Sequence, residues 1–245
     1  MDYTLVLIPG LAGNDVMWRA QLAGLAELQP LVTDVIARHA TIPEMAAALL
    51  REHPGPLVLC GASMGGMVAM EATRQAPERI ARLALLGTNA GPETEEMRVL
   101  RENAIVLFGQ GRLAEIIEPN VGFAFHPDHA RDPALVDAYL QFVLDAGAEQ
   151  LIRQNRAVIA RPDARLHLAN VQCPVLVMCG EQDQLTPAAC SREIAQLCPR
   201  SRLVMVPRCG HMLTMEQPEV VNAVLREWLL SVGSLARTHP TGDAL

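Results

Sequence analysis

The chain has 245 residues and a formal net charge of −7; half of its residues are hydrophobic and only 3% are aromatic. All of its 20 basic side chains are arginines, which removes lysine Schiff-base chemistry and any P-loop lysine. The acidic balance argues against a nucleic-acid partner, whose binders carry a basic patch, and no apolar run approaches the ~18 residues of a membrane span.

Short apolar runs rich in Val, Leu and Ile alternate with stretches of helical spacing. Thr4–Ile8 reads as a strand, then Met17–Ala26 as a helix, Leu31–Ile36 as a strand and Ile42–Arg51 as a helix. Strand Leu57–Cys60, helix Met64–Gln75 and strand Leu83–Leu86 follow. Later come strand Val175–Cys179, helix Ala188–Leu197, strand Arg202–Val206 and helix Glu219–Leu230. The strands do not alternate polar with apolar residues, as expected of parallel strands covered on both faces. Thr41-Ile42-Pro43-Glu44 is a capping box, and Thr186-Pro187 places a cap residue before a first-turn proline. The pattern predicts an α/β fold with a doubly wound, mainly parallel sheet of about six strands and right-handed crossovers.

The interval from Leu86 to Val175 is roughly 60 residues longer than a helical crossover needs, and a structureless loop of that length is improbable. Within it, Glu95–Gln110, Leu113–Glu118, Pro133–Ala146 and Glu149–Ala160 have helical spacing or composition. A helical lid inserted after the fourth strand is therefore expected. The domain reading is a core of residues 1–91 and 166–232, a cap of residues 92–165, and a loose tail at 233–245.

The six cysteines are Cys60, Cys173, Cys179, Cys190, Cys198 and Cys209; they form no C-x-x-C pair and no zinc spacing. The first residues carry an acid where a signal peptide has a basic segment. Together these imply a reduced, cytoplasmic chain that uses its thiols as small apolar side chains.

Gly61-Ala62-Ser63-Met64-Gly65 follows a strand and opens a helix, the context that a G-x-S-x-G nucleophile turn requires. Side chains at its two glycines would meet neighbouring backbone, and the strained serine would expose its hydroxyl above the sheet. A serine hydroxyl needs a base, and the base needs an orienting acid. Asp183 follows the fifth strand and His211 the sixth, so both fall at the sheet edge that carries Ser63. Glu181 competes with Asp183 for the acid role. His126 and His129 form an H-x-x-H pair for which pocket lining or a solvated loop is favoured over a metal.

With Pro9-Gly10-Leu11-Ala12-Gly13, Gly180-x-x-Asp183 and Gly210-His211 added to the elbow, the chain resembles the α/β-hydrolases with a helical cap, from Thr4 to about Leu230. Asn14-Asp15-Val16-Met17-Trp18 with Gln21, and Arg161-Pro162-Asp163, resemble the small carboxylesterases and lactonases of that family. The resemblance implies an oxyanion hole made by the backbone N–H groups of Leu11 and Met64. Two departures stand out: no antiparallel hairpin precedes the first strand, and proline occupies the place before Gly10 where many members have histidine.

The expected reaction is hydrolysis of a small-molecule carboxylic ester or lactone through an acyl-enzyme, with Ser63 as nucleophile, His211 as base and Asp183 as its orienting acid. It needs no metal or organic cofactor. Trp18, Phe123, Phe125, Leu185 and Met212 are candidate substrate-binding residues. The alternatives are a non-hydrolytic enzyme on the same triad (an acyltransferase, perhydrolase or lyase) and a ligand-binding protein on the same scaffold.

Overall fold

The computed structural model describes residues 3–230, so the expected tail at 233–245 lies outside the described residues. Six strands form one sheet: β1 (Thr4–Ile8), β2 (Leu31–Val32), β3 (Leu57–Ala62), β4 (Ile80–Leu86), β5 (Val175–Gly180) and β6 (Ser201–Val206). Their order is β2-β1-β3-β4-β5-β6, and every pairing is parallel. β3 and β5 are buried along their whole lengths.

Alternate residues of the strands feed two separate cores. Leu5, Leu7, Val58, Cys60, Leu176 and Met178 join the first, while Val6, Ile8, Leu57, Leu59, Val175 and Val177 join the second. That is the period-2 geometry of a strand read on both faces at once, and it explains the absence of polar alternation. Helices α3 (Ile42–Glu52), α4 (Met64–Gln75) and α9 (Ala188–Leu197) contribute to the second core. Helices α1 (Arg19–Gly24), α10 (Leu213–Glu216) and α11 (Pro218–Leu230) contribute Leu213, Val221, Leu225 and Leu229, among others, to the first.

The long interval between β4 and β5 holds α5 (Glu95–Gly109), α6 (Ala114–Ala124), α7 (Pro133–Ile159) and α8 (Arg165–Leu168). Gly147, with φ 73° and ψ 169°, breaks α7 into two pieces, matching the separate helices expected at Pro133–Ala146 and Glu149–Ala160. Phe108, Ile117, Phe142 and Leu151 from these helices extend the first core. A buried cluster ties their base to the sheet: Arg161 donates to Gly91 O and pairs with Glu93, which also pairs with Arg101.

Several details differ from expectation; β4 already begins at Ile80, and α6 runs on to Ala124. β2 stops at Val32, and Val35–Arg38 is a helical turn, α2, because a short apolar run fits either period and here Val35 and Ile36 fill the second core. The segment read as helix from Met17 begins as a tight 3-10 turn at Asp15–Trp18, capped by the Asn14 side chain. The Thr41 capping box forms, whereas Thr186 caps nothing.

Candidate active site

The elbow is built from backbone upward. Ser63 follows β3 at φ 52° and ψ −118°, a region of order 1–3 kcal/mol above ordinary backbone for a non-glycine residue. Its neighbours hold it there. Ser63 N–H donates to Leu86 O at 2.9 Å, and Ser63 O accepts from Gly66 N–H at 2.9 Å and from the Thr88 hydroxyl at 2.7 Å. A Cβ at position 61 would lie 2.3 Å from Gly65 O, and one at position 65 would lie 2.1 Å from Ile8 O. Both glycines are therefore steric requirements of the turn.

The loop after β1 lies against this elbow, since a Cβ on Gly10 would sit 3.2 Å from Ser63 Cβ. Gly10 N–H points at Met17 Sδ, Ala12 N–H donates to Gln154 Oε1 at 2.7 Å, and Gly13 N–H donates to Gly10 O at 2.9 Å. No acceptor among the described residues takes the Leu11 N–H.

At the ends of β5 and β6, Asp183 and His211 form a buried pair. His211 Nδ1 donates to Asp183 Oδ2 at 2.9 Å. Asp183 also accepts from Leu185 N–H and Thr186 N–H on Oδ1, and from the Thr186 hydroxyl at 2.8 Å on Oδ2. Burial works against its ionisation, but the His211 charge and the hydrogen bonds from His211 and Thr186 outweigh it, holding the carboxyl below its usual range. The rival Glu181 is exposed. Thr186, expected as a helix cap, spends its hydroxyl on Asp183 instead, because only the folded loop brings the two together.

Two further residues escaped the sequence reading. Gly87 follows β4 at φ 50°, and a Cβ there would lie 3.2 Å from Asp183 Oδ2 and 3.5 Å from His211 Nδ1. Glu216, with no exposed side-chain surface, grips both flanks of His211 by accepting from Gly210 N–H and Met212 N–H at 3.0 Å. It also takes His126 N–H at 2.8 Å and His129 Nδ1–H at 3.0 Å. Since His126 Nδ1 accepts from Asp128 N–H, the two ring nitrogens are committed to different partners. Among the described residues no cluster of three or more metal-ligating side chains occurs.

The candidate substrate-binding residues scatter. Met212 is buried beside His211, and Leu185 is half-buried with its N–H on Asp183. Phe125 is fully buried and packs edge-on against Tyr139 at 5.3 Å. Trp18 is fully buried in the first core, and Phe123 is 52% exposed on α6. The six cysteines are free, and burial pushes the thiols of Cys173, Cys179 and Cys198 up to about 11.

Comparison with known proteins fits this architecture. RutD of Shigella flexneri, named as a proposed carbamate hydrolase, is 28% identical, with 93% of this chain and 91% of that protein aligned. A thermophilic esterase from Thermogutta terrifontis superimposes with a TM-score of 0.84 at 27% identity, covering 94% of this chain and 90% of the esterase. The enol-lactonase of Burkholderia xenovorans LB400 shares the fold, with a TM-score of 0.82 at 21% identity over 92% of this chain and 91% of that one. The family model described as the alpha/beta hydrolase fold matches residues 37–218, and the chain belongs to that family.

Proposed function

We propose that the chain hydrolyses a small-molecule carboxylic ester or lactone through an acyl-enzyme. The observation that carries this reading is the strained Ser63 elbow at the sheet edge that also holds the buried Asp183–His211 pair. Ser63 Oγ attacks the carbonyl carbon while His211 takes its proton; the tetrahedral intermediate collapses and the leaving alcohol receives that proton. His211 then draws a proton from water as it attacks the acyl carbon; the second tetrahedral intermediate collapses by breaking the Ser63 Oγ–acyl bond, His211 returns the proton to Ser63 Oγ, and the acid is released. Asp183 keeps the imidazole proton on Nδ1, so that Nε2 is the nitrogen turned to the reaction, and it stabilises the imidazolium.

The amides of Leu11 and Met64 receive the oxyanion, each typically worth about 3 kcal/mol. The uncommitted Leu11 N–H beside an otherwise bonded loop supports that assignment. Residues 92–165 act as the cap over this edge. The esterase and the enol-lactonase named above favour oxygen esters. RutD supports a second reading, a carbamate, whose carbonyl would meet the same serine.

The test is a phosphonate probe together with p-nitrophenyl acetate turnover. The probe should label Ser63, and Ser63→Ala should lose on the order of 10⁵–10⁶ in kcat. A Ser63→Ala variant keeping a tenth of wild-type activity would sink the reading.

A further inference from the structure

The helices between β4 and β5 reach back to the loop that faces Ser63. Gln154, in the second piece of α7, has no exposed surface, and both ends of its amide are used. Oε1 accepts Ala12 N–H at 2.7 Å, and Nε2 donates to Ile36 O at 3.0 Å. The adjacent Arg153 donates to Ala37 O, seating the same helical turn on the same segment. Asn155 is held in turn by Arg101 at 2.9 Å. Gln154 thus has a fixed place from which to act on the loop.

The loop needs that support. Ala12 stands at φ 61°, in the left-handed region that a residue with a side chain occupies only when its surroundings impose it. Between the loop and α7 the packing is incomplete: Ala12–Asp15, Ile36, Ala37 and Gln150 line an open cleft of about 360 Å³, so the Gln154 bond is one of few contacts bridging it. The Ala12 N–H bond fixes the Leu11–Ala12 peptide plane, while the Gly13 N–H bond to Gly10 O holds the Gly10–Leu11 peptide that carries the Leu11 N–H; without the first, the loop can turn about the Leu11 torsions and re-aim that amide.

We propose that Gln154 is a positioning residue for the Leu11 amide, so that the inserted helix as well as the sheet sets stabilisation of the oxyanion. This rests on the Ser63 acyl-enzyme reading. A group that acts through the oxyanion hole is felt in the transition state and not in the ground-state complex. Gln154→Met, close in volume but unable to accept from Ala12, should therefore lower kcat and leave KM alone. Gln154→Asn is one methylene too short to reach Ala12 and leaves space and polarity for a water, which makes it the gentler variant.

Both variants are measured on p-nitrophenyl acetate, with kcat expressed per site titrated to completion by the phosphonate. The expected loss is on the order of 10–100-fold, below the 10²–10³ of deleting an oxyanion donor outright. KM should stay within about twofold. A boronic acid, which forms a tetrahedral adduct on serine, should weaken in step with kcat/KM. A merely structural role would lower the number of titratable sites and leave kcat per site and boronate affinity unchanged. If the variant that folds keeps kcat per site within about twofold of wild type, the inference fails. Failure of the phosphonate to label wild-type Ser63 would instead overturn the acyl-enzyme reading, and this inference with it.

Discussion

Replacing Glu216 with glutamine tests how the His211 loop is held. The change alters one atom and keeps the shape, so its effect is one of hydrogen-bond polarity. Oε1 accepts from Gly210 and Met212, and Oε2 accepts from Gly210, His126 and His129. Whichever position the new NH₂ group takes, it confronts at least two N–H donors with a donor. Each buried donor left unsatisfied costs about 1–3 kcal/mol, and breaking one side of a buried charged network costs about 3–5 kcal/mol. We expect Glu216→Gln to lose about 3–5 kcal/mol, which for a domain of this size lowers Tm by roughly 6–20 °C. Because two of those donors flank His211, kcat per folded molecule should fall as well. Scanning calorimetry measures the first effect, and turnover at a temperature where the variant is fully folded measures the second. A Tm within about 2 °C of wild type would show that the four donors find other partners and that Glu216 does not hold the loop.

Other outcomes follow from the same contacts. His211→Ala should lose on the order of 10⁵–10⁶ in kcat, and combining it with Ser63→Ala should add little, because triad members act as a unit; additive losses in the double-mutant cycle would contradict this. Gly87→Ala puts a Cβ at φ 50° against the Asp183–His211 pair. Backbone strain of about 1–2 kcal/mol should lower Tm by a few degrees, and displacement of the pair should cut kcat by tenfold or more, as thermal melts and steady-state rates will show. Acid should destabilise the fold in a defined direction. The carboxyl of Asp183 lies below its usual range because His211 and Thr186 outweigh burial, and that of Glu93 because Arg161 and Arg101 do the same. Their stabilisation is complete above the unfolded carboxyl range near pH ~4 and drains away as pH falls through the lower folded values. Asp183→Asn together with Glu93→Gln should flatten that part of the stability–pH curve in urea titrations. Iodoacetamide at neutral pH should leave turnover intact, since burial raises the cysteine thiols and keeps them from reacting; stoichiometric inactivation would refute it.

Much of the architecture is legible in the chain because it depends on local rules. Continuous apolar runs at 57–60 and 175–179, each closed by a glycine, fit strands covered on both faces, and they become the fully buried β3 and β5. Glycines on either side of Ser63 mark a turn too tight for side chains, and backbone atoms do stand 2.1–2.3 Å from where their Cβ atoms would be. The segment 31–36, read as one strand, is where local rules fail: six residues fit a strand or a helical turn, and only their neighbours in the second core select two strand residues and then a turn.

The supports of the site were hidden because the partner of a polar side chain is chosen by tertiary packing. Thr186 has the look of a helix cap, yet its hydroxyl meets Asp183 once the β5 loop closes. Glu216 reaches His126 across 90 positions of sequence, and Gln154 reaches Ala12 across 142. No periodicity or turn signal encodes such a pairing. By itself the sequence determined the strand–helix order, the elbow and the chain positions of Ser63, Asp183 and His211, because local sterics and burial periodicity suffice for these. The tertiary structure alone decided which buried amides, hydroxyls and carboxylates hold them, because a hydrogen bond needs its partners within about 3 Å and only the closed fold brings them there.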